Sequence, residues 1–328
     1  MSDPETLTLL GVAMKLRSDD AGFPEEFVRV FGGRGAIPDP PHGSFSVSVE
    51  TESELSGHGR LRVAGDGLAD PAAFLLGFAS PTIPLKRLPS VAGRSALGLS
   101  DDSEPVFLFS DVDGDCLFRL VPRWRRILAN FLFLRLLRLR SDALFFHAAS
   151  VSVAGRGVLF VGPKGTGKST TSLALAARGH DFLGDETACY LPASGTLVPF
   201  RRPVGIKPGP QSATVREALA RIRPEPDEEG LVRVPIERLV PSRPAAEAPL
   251  ASVVFLQGFG REPELTSIAA GREELASLQP IASTLVSAPA TRRVFEMIRL
   301  IQSAACYRLV AGDPDETARL LEKELVSR

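Results

Sequence analysis

Cysteine is scarce in this 328-residue chain: Cys116, Cys189 and Cys306 stand far apart, are odd in number and fall in no CxxC or Cys/His spacing. That pattern excludes a disulfide framework and an ordinary zinc site, and it fits a reducing compartment. An excess of either charge is missing as well. With 38 Lys and Arg against 39 Asp and Glu the net charge is −1, which leaves no global electrostatic basis for binding nucleic acid. Long apolar runs are also lacking. The most apolar stretch, Ile127 to Leu139, carries Arg135 and Arg138 and is too short and too charged to span a membrane. The opening MSDPETLTLL has no basic segment followed by an apolar run, so no secretory signal is expected and the expected location is cytoplasmic.

What is present is the composition of a globular protein, 44% hydrophobic and 23% charged, long enough for two domains. No internal repeat or low-complexity tract occurs. Residues 1–121 show short alternating runs, such as SFSVSVE at 44–50, separated by PDPPHG (38–43), GDG (65–67) and DVDGD (111–115). They predict a strand-rich α+β N-terminal domain, with a short helix at 23–31 opened by Pro24. DVDGD begins like a calcium loop, but Gly114 interrupts the ligand spacing and apolar Cys116 to Val121 follows, so a hairpin turn is expected. Residues 122–140 read as a connecting helix, apolar on most sides because Phe131, Leu132, Phe133 and Leu134 are consecutive.

From residue 141 the pattern changes. LFFHAASVSV (144–153) and GVLFV (157–161) flank a compact AGR turn. GPKGTGKS follows at 162–169, then TTSLALAARG as a helix ending at Gly179, then the short strand DFLGD at 181–185. Strand, glycine loop, helix, strand is the core of a P-loop α/β domain, expected to fill 141–328. Within it, 224–249 carries six prolines and the acidic run Asp227 to Glu229, a composition expected of an exposed loop or lid. ASVVFLQ (251–257), a helix near 291–304, a strand at 306–310 and a helix opened by Asp313 and Pro314 close the chain.

The segment Gly162, Pro163, Lys164, Gly165, Thr166, Gly167, Lys168, Ser169 matches GxxxxGK[ST] at every fixed position, with Thr170 next. The chemistry explains the spacing. Glycines let the backbone form a nest of N–H groups facing phosphates, and the following helix adds the positive end of its dipole. Lys168 would reach the β- and γ-phosphates and the Ser169 hydroxyl would bind Mg²⁺. Asp185 and Glu186 end the next strand, where an acid can hold Mg²⁺ or take a proton from an attacking hydroxyl; Asp185 is the preferred base. His147 lies on the strand expected to pair with the one feeding the loop, although a lone His among Phe145, Phe146 and Ala148 is more often a satisfied core residue. Arg201, Arg202 and Lys207, in VPFRRPVGIK (198–207), could stabilise transferred charge or bind an acidic substrate, or simply be surface charges.

The run FHAASVSVAGRGVLFVGPKGTGKSTTSLALAARGHDFLGDE (146–186) resembles the catalytic domain of HPr kinase/phosphorylase and the proteins related to it. A His-bearing strand, a short hairpin, the P-loop, a helix ending in RGH and a strand ending in two acids follow in that family's order. The similarity covers roughly 141–210, and YRLVAGDPDETARLL (307–321) more loosely. It implies that Lys168 and Ser169 handle triphosphate and Mg²⁺. One of Asp185 and Glu186 would be the base towards a serine-type hydroxyl while the other assists the metal, with His147 beside it. FRRPVGIK is similar to the family's Arg-containing loop, which nominates Arg202 with Arg201 as its near substitute. The chain departs from the family at Glu186, where Asp is usual, at Thr170, where an acid often follows the P-loop serine, at Pro203-Val204, where the loop is glycine-rich, and throughout its first 120 residues.

The expected activity is therefore an ATP- and Mg²⁺-dependent kinase acting on a hydroxyl of a protein or precursor peptide, with a place in peptide natural-product biosynthesis implied by the family's relatives. A nucleotide-binding switch or slow ATPase scaffold, and a small-molecule kinase, are the alternatives. GTP is left open because no NKxD base-reading motif occurs, and so is a homo-oligomer.

Overall fold

The computed structural model describes residues 3–33, 41–65, 79–80, 83–91, 94–99, 105–109, 116–227, 230–241, 245–282 and 290–326. The turn expected at 111–115, and parts of those at 38–43 and 65–67, lie outside the described residues. The chain divides into two compact units, the first ending at Ser141 and the second beginning at Asp142. No helix among the described residues is long and apolar enough to cross a membrane.

The first unit is a sheet of nine described strands: β1 (Glu5–Leu9), β2 (Val12–Ser18), β3 (Gly43–Glu50), β4 (His58–Gly65), β5 (Ala79–Ser80), β6 (Ile83–Val91), β7 (Arg94–Leu99), β8 (Pro105–Phe109) and β9 (Cys116–Arg119), in the order β1-β2-β3-β4-β9-β8-β7-β6-β5. Only β2 and β3 run parallel, and a parallel pair needs a crossover. Helix α1 (Gly22–Phe31) supplies it, burying Phe23, Phe27, Val30 and Phe31 at helical spacing. Helix α2 (Trp124–Arg138) belongs to this unit. Its apolar residues do reach round the helix, and Phe133 stacks on Phe31 at 4.3 Å between ring centroids while Phe131 meets Phe107.

The second unit is built on strands β10 (Leu144–Phe146), β11 (Ala149–Val153), β12 (Arg156–Val161), β13 (Asp181–Gly184), β14 (Ala188–Leu191), β15 (Thr196–Val198), β18 (Ala248–Phe259), β19 (Glu264–Ile268) and β20 (Ala305–Ala311). A separate two-stranded ribbon pairs β16 (Val204–Ile206) with β17 (Val232–Val234). The main order is β10-β14-β15-β18-β12-β11-β13, with β20 joining β18 and carrying β19. Strands β12, β18 and β20 are mutually parallel, and β13 runs with them because β11 opposes both β12 and β13. Their carboxyl ends therefore share one edge, where ligands of open α/β sheets bind.

Successive side chains alternate between faces, as the pleat requires. Leu159, Val161, Val253 and Phe255 pack under α6 (Arg272–Leu278) and α7 (Ala290–Ser303), whereas Val158, Phe160, Val254 and Leu256 pack under α3 (Lys168–Ala177) and α8 (Pro314–Val326). The RGH that ends α3 has a structural task. Arg178 pairs with Glu322 on α8, with His180 Nε2 3.4 Å from the same carboxylate, and the Arg178 pair fixes one helix against the other.

The proline-rich stretch 224–249 is exposed or half-buried at most of its described positions, as its composition suggests, but it is not loop throughout. It contains β17 and the short helix α5 (Ile236–Leu239), and Val234, Ile236, Leu239 and Val240 are buried with Leu173 and Ala176 of α3 and with Val215 and Ala218 of α4 (Ala213–Ile222). Pro235 stands at the N-cap of α5, a position that tolerates proline because the helix start needs no donor there. The described prolines themselves stay exposed or half-buried, so composition located the surface positions and missed the buried apolar ones between them. Ile236→Ala is expected to cost about 2 to 5 kcal/mol in urea denaturation; a loss under about 0.5 kcal/mol is what an exposed loop would give.

Candidate active site

Residues 162–169 leave the end of β12 and enter α3 at the shared carboxyl edge. Gly165 and Gly167 have φ of +89° and +98°, a region that side-chain-bearing residues rarely adopt. At Gly162 a Cβ would lie 2.8 Å from Thr166 Oγ1 and 2.9 Å from the Leu256 carbonyl, so the loop closes only around glycine. Lys168 is buried and donates to the carbonyls of Gly162 (2.7 Å) and Pro163 (2.9 Å). Burial depresses its pKa, with the charge of Lys207 adding to that and Asp185 and Glu186 opposing it.

Asp185 follows β13 at the same edge. It is 2% exposed, and neither carboxylate oxygen accepts a hydrogen bond of good geometry within the protein. Burial and the neighbouring Glu186 charge push its pKa to about 6; Ser169, the Glu186 peptide and Arg202 pull the other way. The next acid is in a different condition. Glu186 has φ +58°, so the chain has left the strand, and its carboxylate accepts from Arg202 Nη2 at 2.7 Å. Although burial opposes ionisation, Arg202, Arg233, His147 and Lys207 together hold the Glu186 pKa below its usual value.

The arginine segment is brought here by one close approach. The Phe200 N–H donates to the Leu183 carbonyl at 2.7 Å, and a Cβ on Gly184 would lie 2.8 Å from the Phe200 carbonyl oxygen. Arg202 consequently faces Glu186, while Arg201 turns to Glu237 at 3.1 Å. Lys207 is exposed just beyond β16, Lys164 is exposed on the loop, and Thr170 is half-buried in the first turn of α3.

His147 is not inside a continuous strand as its sequence context suggests. The chain breaks at His147-Ala148 because β10 pairs with β14 whereas β11 pairs with β12 and β13, and the His147 N–H donates to the Ile281 carbonyl. Its ring is solvent-accessible, with Nδ1 3.1 Å from the Glu186 carbonyl oxygen, a geometry in which Nδ1 carries the proton. Partial desolvation and the Lys168 charge lower its pKa, against the pull of Glu186, which favours neutral imidazole. Arg233 is a component that sequence reasoning missed. It lies opposite Gly205 in the β16–β17 ribbon, 3.7 Å from Asp227, and its charge acts on Glu186; alternation in VRV is the only signal that could have pointed to it.

Among the described residues no group of three or more His, Cys, Asp or Glu side chains is placed to hold a metal ion by itself. A divalent ion shared with phosphates needs less, since Mg²⁺ is commonly bound through one or two carboxylates, substrate oxygens and water. The two unpartnered oxygens of Asp185 beside the Ser169 hydroxyl fit that requirement.

No family model matches the chain. Over 52 residues it is 40% identical to HPr kinase/phosphorylase of Clostridium botulinum, in strain Eklund 17B and equally in strain Alaska E43. The match covers 16% of this chain, and the chain spans 17% of the length of those relatives. Among solved structures, the HPr(Ser) kinase/phosphatase of Coxiella burnetii aligns at 14% identity over 56% of this chain and 88% of that one, with a TM-score of 0.29.

The state of Asp185 has a measurable consequence. With its pKa raised from 3.8 to about 6, the folded state holds the proton more tightly than the unfolded chain, so stability falls as pH rises through that window. Asp185→Asn cannot ionise. In urea denaturation with EDTA it is expected to exceed the wild type by roughly 3 kcal/mol at pH 7 and by under about 1 kcal/mol at pH 4; equal stability at both pH values would contradict the assignment.

Proposed function

We propose that this chain is an ATP- and Mg²⁺-dependent phosphotransferase related to HPr kinase/phosphorylase, passing the γ-phosphate to a serine-type hydroxyl of a protein or peptide. The observation that carries this reading is Asp185, a buried carboxylate whose oxygens accept no hydrogen bond of good geometry, at the strand end beside a complete P-loop motif. A buried polar group left unpaired is costly, and a chemical task accounts for its retention. The local similarity to HPr kinase/phosphorylase supports the same reading.

The chain's own groups divide the work. Backbone N–H groups of 163–169 and the start of α3 orient the triphosphate, and Lys168 leaves its carbonyl partners to neutralise the phosphates. Ser169 and one carboxylate oxygen of Asp185 would hold Mg²⁺, with the Glu186 charge beside them, and the ion would supply charge neutralisation for the phosphates. Asp185 accepts the proton of the attacking hydroxyl, because Glu186 is committed to Arg202. Arg202 holds Glu186 and adds positive charge, and neutral His147 braces the Glu186 backbone. The oxygen–phosphorus bond to the acceptor forms as the γ-phosphate bond to ADP breaks. Arg201, Arg202 and Lys207 supply positive charge for an acidic acceptor segment. A precursor peptide of a natural-product cluster is the acceptor we favour, and the cytoplasm is the compartment that suits it.

The test follows γ-labelled ATP and Mg²⁺ with purified protein and extract of the native cell. Label is expected on a protein or peptide, reduced by roughly 10²- to 10⁴-fold in Asp185→Asn with nucleotide binding kept, and lost in Lys168→Ala. Label on a metabolite would identify a small-molecule kinase. Label in free phosphate only, or unchanged transfer by Asp185→Asn, would overturn the proposal.

A further inference from the structure

Phe259 is 55% exposed at the carboxyl end of β18, although the phenylalanines at 145, 146, 160, 182 and 255 of the same unit are buried. Its exposure has a structural cause. Down β18 the faces alternate, Val253 and Phe255 towards α6 and α7, Val254 and Leu256 towards α3 and α8. Continued alternation would send Phe259 to the face of Phe255. The β18–β20 register shifts instead, Leu256 facing Leu309 and Gly258 facing Val310, so that Gln257 is an extra residue. Gly258 takes φ +124° there. A bulge of this kind re-aims the residues that follow it, and Phe259 is turned to the face of the P-loop helix.

Its ring ends against the loop itself. A Cβ placed on Gly167 would lie 3.0 Å from Phe259 Cζ and 3.2 Å from Cε1, so the ring packs on the glycine that caps α3. The sheet order sets the direction. β18 is one neighbour of β12 and β11 is the other, with β13 beyond it. Asp185 and Phe259 therefore flank the loop from opposite sides at one edge. A triphosphate whose transferring end faces the acid must lead its other end towards Phe259.

We propose that Phe259 is the platform on which the base of the bound nucleotide stacks. The proposal rests on the nucleotide-binding reading of the P-loop and adds the subsite for the base. A phenyl face binds through its π-surface and apolar area and makes no hydrogen bond, so it accepts adenine and guanine alike.

Calorimetry with ATP, GTP and inorganic tripolyphosphate tests it, using wild type, Phe259→Ala, Phe259→Trp and Lys168→Ala. Phe259→Ala is expected to weaken ATP and GTP roughly 5- to 150-fold and to leave tripolyphosphate unchanged. Phe259→Trp is expected to restore affinity, with indole fluorescence quenched by ATP and not by tripolyphosphate. Undiminished ATP binding by Phe259→Ala would overturn the platform and leave the P-loop reading intact. Equal loss of ATP and tripolyphosphate would also overturn it, assigning the ring to support of the Gly167 backbone. Absence of any Lys168-dependent binding in the wild type would overturn the P-loop reading and the platform with it.

Discussion

The second unit buries the Asp185 carboxylate with no hydrogen bond of good geometry to either oxygen, and much of the site follows from that. Desolvation of that group is unfavourable, and the nearby Glu186 charge adds to the strain. The surroundings offset this without pairing Asp185. Gly184 lets the Phe200 segment approach within contact, which delivers Arg202, and Arg202 engages Glu186 and leaves its neighbour unbound. The β16–β17 ribbon brings Arg233 to the same acid. Two adjacent carboxylates thus receive opposite environments, one anchored with its pKa lowered, the other unanchored with its pKa raised, and such a separation is how acid and base roles are assigned in a shared site.

Sheet topology turns this local chemistry into a directional site. Parallel β12, β18 and β20, with β13 alongside, place the 162–169 loop, Asp185 and Phe259 on a single edge. Their order along it runs from Asp185 to the glycine loop to the Phe259 ring. α3 is held from both sides, by Glu322 of α8 at its carboxyl end and by α4, α5 and the ribbon beneath Leu173 and Ala176, so the loop that begins it is fixed at its helical end.

The parts of this site that could be read in sequence are those whose chemistry is local. The glycine-loop motif declares itself because its two fixed glycines, Gly162 and Gly167, and the Lys168-Ser169 pair fall within eight consecutive residues, and Asp185 because an acid after an apolar strand falls next to that loop. What escaped depends on partners distant in the chain. His147 leaves the strand because Ile281 and β14 draw its flanks apart. Val234, Ile236, Leu239 and Val240 are buried because they pack with α3 and α4, although the described prolines around them stay at the surface. Phe259 is an ordinary apolar residue until the register between β18 and β20 slips by one position. In the first unit, hairpins and α1 follow from local pattern, whereas the parallel β2–β3 pairing and the stack of Phe31 on Phe133 join segments too far apart for periodicity to reveal.

The most direct measurement of the central claim is a crystal structure of the full chain with Mg²⁺ and a non-hydrolysable ATP analogue. The account predicts the triphosphate within the 162–169 loop, its terminal phosphate on the Asp185 side and its base over Phe259. A triphosphate bound elsewhere, or seated in the loop with its terminal phosphate turned away from Asp185, would contradict it.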